Sequence, residues 1–170
     1  KLTLDMRLQQ MIAERLKDEK SAAVVVMDAK TGAVRALTSI PAYDPNTFSE
    51  GLSTKQWNDL VNNPYSPLTN KAVAGQYAPG STYKAAVALA ALENGISPDH
   101  SVFCPGHMRL GDRRFHCWKR YGHGHMELVD ALRESCDVWF YDVARRIGVD
   151  AIAKAANKLG LGAPTGIDLL

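Results

Sequence analysis

A chain of 170 residues with 46% apolar and 22% charged residues can bury the core of one domain, and a formal net charge of +2 is too balanced to point to nucleic acid. No apolar run of about 18 or more residues marks a membrane span, and the first residues lack the charged, apolar and cleavage regions of a signal peptide, so the chain itself is expected to be soluble, with any anchor or export signal in residues outside it. Three cysteines, an odd number, cannot all pair internally, which argues against a pure disulfide framework.

Leu2 to Asp5 reads as a short extended piece, and the apolar spacing of Leu8, Met11, Ile12 and Leu16 suits an amphipathic helix over Met6 to Lys20. Ala22 to Met27 is a compact β-branched run, Asp28 to Gly32 a turn, and Ala33 to Ile40 a second strand; together they make a hairpin, read as structural. Prolines 41, 45, 64 and 67 among Asn, Asp, Ser and Tyr predict a long irregular loop broken by a short helix near Ser53 to Leu60. Trp57 is expected to be a buried anchor for that loop rather than a substrate contact.

Gly75 to Gly80 then delivers Ser81 onto the first turn of an apolar helix, Thr82 to about Asn94, with Lys84 three residues on. Side chains at i and i+3 share a helix face, so a hydroxyl stands beside an amine, the minimal equipment for nucleophilic acyl transfer. The segment Ala85 to Leu92 is apolar on every side, which predicts a buried helix capped by Gly95. Its start would offer Ser81 the positive end of the helix dipole and backbone N–H groups, and a low-dielectric setting would favour a neutral Lys84 base. A helix cap is the plainer reading of Ser81.

Residues 96–126 read as a loop-rich insert holding Cys104, Cys117 and all five histidines. Met126 to Gly148 is helix-rich and contains Ser135-Cys136-Asp137, and Asp150 to Leu159 is another short helix followed by Gly160. Pattern alone supports an α+β domain with an early hairpin and a helix-rich second half.

An isolated Ser-x-x-Lys is weak evidence, but its surroundings are specific. Asn70-Lys71-Ala72, Pro79 to Lys84, the upstream Ser39 to Asn46 and the closing Thr165-Gly166-Ile167-Asp168-Leu169 resemble, in order and over nearly the whole chain, the transpeptidase domain of class B penicillin-binding proteins. Trp118-Lys119 and Gly122 to His125 look most like the penicillin-binding protein 2 branch. The resemblance implies a partial penicillin-binding protein/serine β-lactamase-like fold, an antiparallel sheet with flanking helices and a helical subdomain. On that basis the chain divides into helix and hairpin (1–40), loop region (41–80), nucleophile helix (81–95), insert (96–126) and helical subdomain (127–170).

It also implies roles. Ser81 resembles the acylated nucleophile, Lys84 its proton acceptor, and Ser135 the second-motif serine that passes a proton toward the leaving group, with Asp137 where many relatives carry Asn. An ordinary mid-helix hydroxyl is the plainer reading of Ser135. The third motif, Lys-Thr-Gly, does not occur in these residues. Loss of one oxyanion donor typically costs about 100- to 1000-fold in rate, so the chain is expected to be a fragment with weak or no activity of its own.

The remaining chemistry lies in Cys104-x12-Cys117-x5-His123-x12-Cys136. Three thiolates and an imidazole suit structural zinc, and Cys136 between Ser135 and Asp137 would tie the insert to the second motif. Relatives in the resembling branch can carry zinc at corresponding positions, with carboxylates in place of some sulfurs. His125 in place of His123, or a Cys104–Cys117 disulfide with Cys136 as a small buried hydrophobe, are the alternatives.

The functional expectation is a peptidoglycan D,D-transpeptidase acting during cell elongation at the periplasmic face of the inner membrane, acylated by β-lactams and partnered by elongation proteins, with its anchor in a preceding segment. An acylated sensor or docking module and a serine β-lactamase are the alternatives.

Overall fold

The computed structural model describes residues 2–167, which group into two compact units, one ending at Tyr77 and one spanning Ala78–Ile167. The boundary falls in the turn-rich stretch ahead of Ser81. Part of the closing motif, Asp168 and Leu169, lies outside the described residues.

In the first unit, α1 (Met6–Arg15) is shorter than expected and begins where the Asp5 carboxylate accepts from the Arg7 and Leu8 amides. Strands β1 (Ala22–Met27) and β2 (Val34–Ile40) form the expected antiparallel hairpin, with Ala22 opposite Ile40 and a bulge at Val26/Met27. Asp28 closes its turn by accepting from the Lys30 and Thr31 amides. The Gln9 side chain joins helix to hairpin, donating to the Leu37 carbonyl and accepting from the Leu37 amide at 2.8 and 2.9 Å.

The loop after β2 carries three short helices, α2 (Asn46–Glu50), α3 (Thr54–Val61) and α4 (Lys71–Ala74). The predicted helix is α3, fixed by a capping box between Ser53 and Gln56. Trp57 on it is 47% exposed, so it is not the buried anchor expected. Lys71 is buried instead, its ammonium donating to the Ser66 carbonyl and its amide to Ser39 Oγ.

The second unit opens with a 3-10 turn (Gly80–Tyr83) that runs into α5 (Lys84–Glu93). Gly95, at φ 80°, takes the left-handed position after it, and the Ile96 amide returns to the Ala91 carbonyl at 3.0 Å. The insert is not simply loop. It contains β3 (Val102–Cys104) paired with β6 (Gly124–Met126), and β4 (His107–Leu110) paired with β5 (Arg113–His116). These strands are three or four residues long, too short for a period of two to be legible in sequence. Gly122 is required between them, because a Cβ there would meet the Cys104 carbonyl oxygen at 2.0 Å.

Two helices complete the unit, α6 (Leu128–Arg133) and α7 (Asp137–Lys158), the latter broken at Gly148 where the backbone leaves helical angles. The break separates the two helices anticipated there. Alanines 88 and 91 let α5 approach α7 closely, and Val87, Ala131, Trp139, Phe140 and Val143 fill the core. Trp139, fully buried, satisfies its indole by donating to the His100 carbonyl.

Asp142 on the same helix is buried among Arg145, Arg146 and His100. Burial pushes its carboxyl up, but the hydrogen bond and charge of Arg146 outweigh that with help from His100, and it sits below the ordinary 3.8. A carboxyl held low when folded stabilises above its unfolded value and loses that contribution as pH falls through the folded value. Asp142→Asn is therefore expected to lower stability at neutral pH and to flatten the loss of stability below about pH 4, read from denaturant unfolding across pH. An unchanged acid limb would show that Asp142 is not among the groups driving it.

Candidate active site

Four polar side chains meet where the start of α5 faces the α6–α7 junction. Ser81 is exposed on the 3-10 turn, and Lys84, the first residue of α5, is only 12% exposed in its side chain. Its Nζ donates to the Ser135 carbonyl at 2.8 Å, to Ser135 Oγ at 2.9 Å and to Asp137 Oδ1 at 2.6 Å. Ser135 Oγ in turn donates to Ser81 Oγ at 2.9 Å. A continuous path of hydrogen bonds thus joins the amine to the exposed hydroxyl through a second hydroxyl. Lys84 is not isolated among apolar side chains as the sequence around it suggested: the fold brings it a carboxylate partner from 53 residues away.

Ser135 is not a mid-helix residue. It sits between α6 and α7 at φ 52°, with the Cys136 amide bonded to the Ala131 carbonyl and the Ser135 amide to that of Leu132. This is the helix-ending geometry that glycine usually provides, and a side chain there costs on the order of 1–3 kcal/mol. The strained backbone turns both the carbonyl and the hydroxyl of Ser135 toward Lys84.

Sequence reasoning missed one residue that touches this group. The Trp118 amide donates to Asp137 Oδ2 at 3.0 Å, and its indole Nε1 donates to the Glu134 carbonyl at 3.0 Å. Trp118 therefore holds both sides of the strained serine. A backbone donor leaves no signature in sequence, so only the fold reveals it.

The second cluster adjoins the first. The ligand-type atoms of Cys104, Cys117, His123 and Cys136 lie within 4.8 Å of one another. All three cysteines are buried free thiols, so Cys104 and Cys117 are not joined as the alternative reading had them. His123 Nδ1 lies 3.6 Å from Cys104 Sγ and 3.5 Å from Cys117 Sγ, while His125 stands by Ser101 and Phe103. Burial, then the charge of Lys119, holds His123 below its ordinary value, which keeps the imidazole neutral as a ligand must be. Burial, reinforced by the neighbouring thiols, pushes Cys136 up to about 12. Three sulfurs and a nitrogen at this separation fit the donor set and size of a tetrahedral structural zinc. His123 Nε2 is buried without a partner among the described residues.

Residues 22–170 match the family described as the penicillin binding protein transpeptidase domain. The chain belongs to that family. It is 46% identical over 171 residues to peptidoglycan D,D-transpeptidase MrdA of Escherichia coli, covering 99% of this chain and 27% of the relative, so it spans about a quarter of that protein's length. The transpeptidase fold is also that of penicillin-binding protein 2 of Helicobacter pylori in its complex with MreC, at TM-score 0.86 and 35% identity, over 94% of this chain and 30% of that one. Penicillin-binding protein A of Mycobacterium tuberculosis, in its penicillin G acyl-enzyme complex, matches at TM-score 0.83 and 29% identity over 95% of this chain and 40% of that one. The resemblance to the penicillin-binding protein 2 branch, and the partial transpeptidase fold it implied, are both borne out.

Proposed function

We propose that this chain carries the nucleophile and proton-transfer groups of a peptidoglycan D,D-transpeptidase. The observation that carries the reading is the connected hydrogen-bond path Lys84 Nζ, Ser135 Oγ, Ser81 Oγ, with Asp137 fixing the amine. Named relatives that are transpeptidases and penicillin-binding proteins favour it over a β-lactamase or a binding module.

Ser81 Oγ attacks the carbonyl of the penultimate D-alanine of a stem peptide. For its proton to leave, the hydroxyl bonds reverse, so that Ser81 donates to Ser135 and Ser135 to a Lys84 nitrogen with a free lone pair. The C–N bond to the last D-alanine then breaks, and the same relay returns a proton to the departing amine. An amine from a neighbouring strand takes the acyl group from the serine ester, giving the crosslink and regenerating the hydroxyl. A β-lactam acylates the same oxygen, but its leaving amine stays tethered. Zinc, where bound, would be held by Cys104, Cys117, His123 and Cys136, supplying a fixed positive charge and a structural brace. We further infer that the protein carrying this chain acts outside the cytoplasm, at the periplasmic face of the inner membrane, with elongation proteins such as the MreC seen with one relative as partners. Among the described residues no helix is long and apolar enough to cross a membrane.

Intact-mass spectrometry of the full-length protein after exposure to benzylpenicillin tests the reading. A stable adduct that disappears in Ser81→Ala is expected. Rapid release of the drug would instead indicate a lactamase, and no adduct on the full-length protein would overturn the assignment of Ser81.

A further inference from the structure

Residues 107–125 hold five Lys and Arg against one acid, Asp112, a formal charge of +4 on a chain whose total is +2. Everything outside that stretch therefore sums to −2, and the positive charge of this protein is concentrated on the insert. The register of β4 and β5 sets Arg109 directly opposite Arg114 and His107 opposite His116, with Met108 opposite Phe115. Opposite residues of a pair share a face and adjacent ones alternate, so the two arginines and two histidines stand on one face. The other face carries Met108, packed against the core, and Phe115, edge-on to Tyr141 at 5.8 Å.

Like charges directly opposite each other weaken a strand pair. Both arginines are exposed, and among the described residues neither has a carboxylate within ion-pair distance. Same-face neighbours along a strand are about 7 Å apart and strands about 5 Å, so the four groups fill a patch of that size. Two adjacent guanidinium forks suit carboxylate ligands. The chain leads from this hairpin to the acyl-transfer site, because β5 runs through Cys117 into Trp118, whose amide holds Asp137.

We propose that the outward face of the β4–β5 hairpin, through Arg109 and Arg114, docks the carboxylate-bearing peptides of the peptidoglycan strand being worked on. This rests on the transpeptidase reading. The two arginines stand side by side across the hairpin, set back from a tip that carries Asp112, an arrangement that fits an extended anionic chain better than a planar anionic bilayer touched by the tip.

The full-length protein and its Arg109→Gln/Arg114→Gln variant are cosedimented with purified peptidoglycan sacculi, with sacculi whose carboxylates have been amidated, and with phosphatidylglycerol vesicles. The variant is expected to bind intact sacculi about tenfold more weakly, the combined scale of two exposed ion pairs. Amidation should erase the difference, added salt should shrink it, and Arg109→Lys/Arg114→Lys should recover only part of the binding, because an ammonium keeps the charge but not the fork. Benzylpenicillin acylation of the Gln variant should match wild type, which certifies its fold and separates docking from chemistry. Equal retention of wild type and variant on intact sacculi overturns the proposal, as does a difference confined to vesicles. Retention through the two arginines by a protein that takes no penicillin would keep the docking face and sink the transpeptidase reading.

Discussion

Lys84→Met in the full-length protein is expected to slow acylation of Ser81 by benzylpenicillin by about 100- to 10,000-fold, the range for losing a positioned proton-transfer group. Methionine keeps much of the volume and the unbranched stem, so the neighbouring Ala86, Val87 and Ala88 of α5 should stay packed. What goes is the nitrogen that holds the Ser135 carbonyl, the Ser135 hydroxyl and Asp137 together. Asp137 keeps the Trp118 amide and partial access to water, which limits the cost of leaving it without its cation. The check is a time course of adduct mass beside a denaturant melt. A variant that unfolds normally and acylates at the wild-type rate would remove Lys84 from the proton path. Lys84→Arg sharpens the test: it keeps the charge and the pairing with Asp137, yet guanidinium does not give up its proton in proteins. It too should acylate slowly.

If the cluster of Cys104, Cys117, His123 and Cys136 holds zinc as proposed, removal of the metal should have the largest effect on stability. Structural zinc in small domains carries about 10–16 kcal/mol of coupled folding free energy, comparable to the whole stability of a typical domain at about 5–15 kcal/mol. Here the four candidate ligands come from β3, the end of β5, the turn before β6 and the residue preceding α7, so one ion would tie four segments. Without it, the three- and four-residue strands of the insert have few means of holding their register. The full-length protein is expected to carry about one zinc per chain by elemental analysis. Cys136→Ser should lose most of it, and chelation should melt the insert at lower temperature and slow acylation through the adjoining Ser135. Metal-free protein with native unfolding behaviour would refute the zinc reading.

Much of the local structure was readable in advance. The β1–β2 hairpin, the short helix at α3 and the cap at Gly95 each follow from nearest-neighbour rules that need no tertiary context. Trp57 failed because burial depends on what lies above a side chain, and the chain near it gives no sign of that. The strands of the insert failed because each is too short to show an alternation.

By itself the sequence determined which residue types were available and which lay close together along the chain: Ser81 before Lys84 at the start of an apolar helix, and a serine, a cysteine and an aspartate in succession at 135–137. Tertiary structure alone decided that these two places meet, that Ser135 adopts a left-handed backbone to face Lys84, and that the Trp118 amide closes on Asp137. The physical reason is one of range. Turn chemistry and helix periodicity act over a few residues, whereas contacts across 51 to 54 positions are fixed by how α5 buries its alanines against α7.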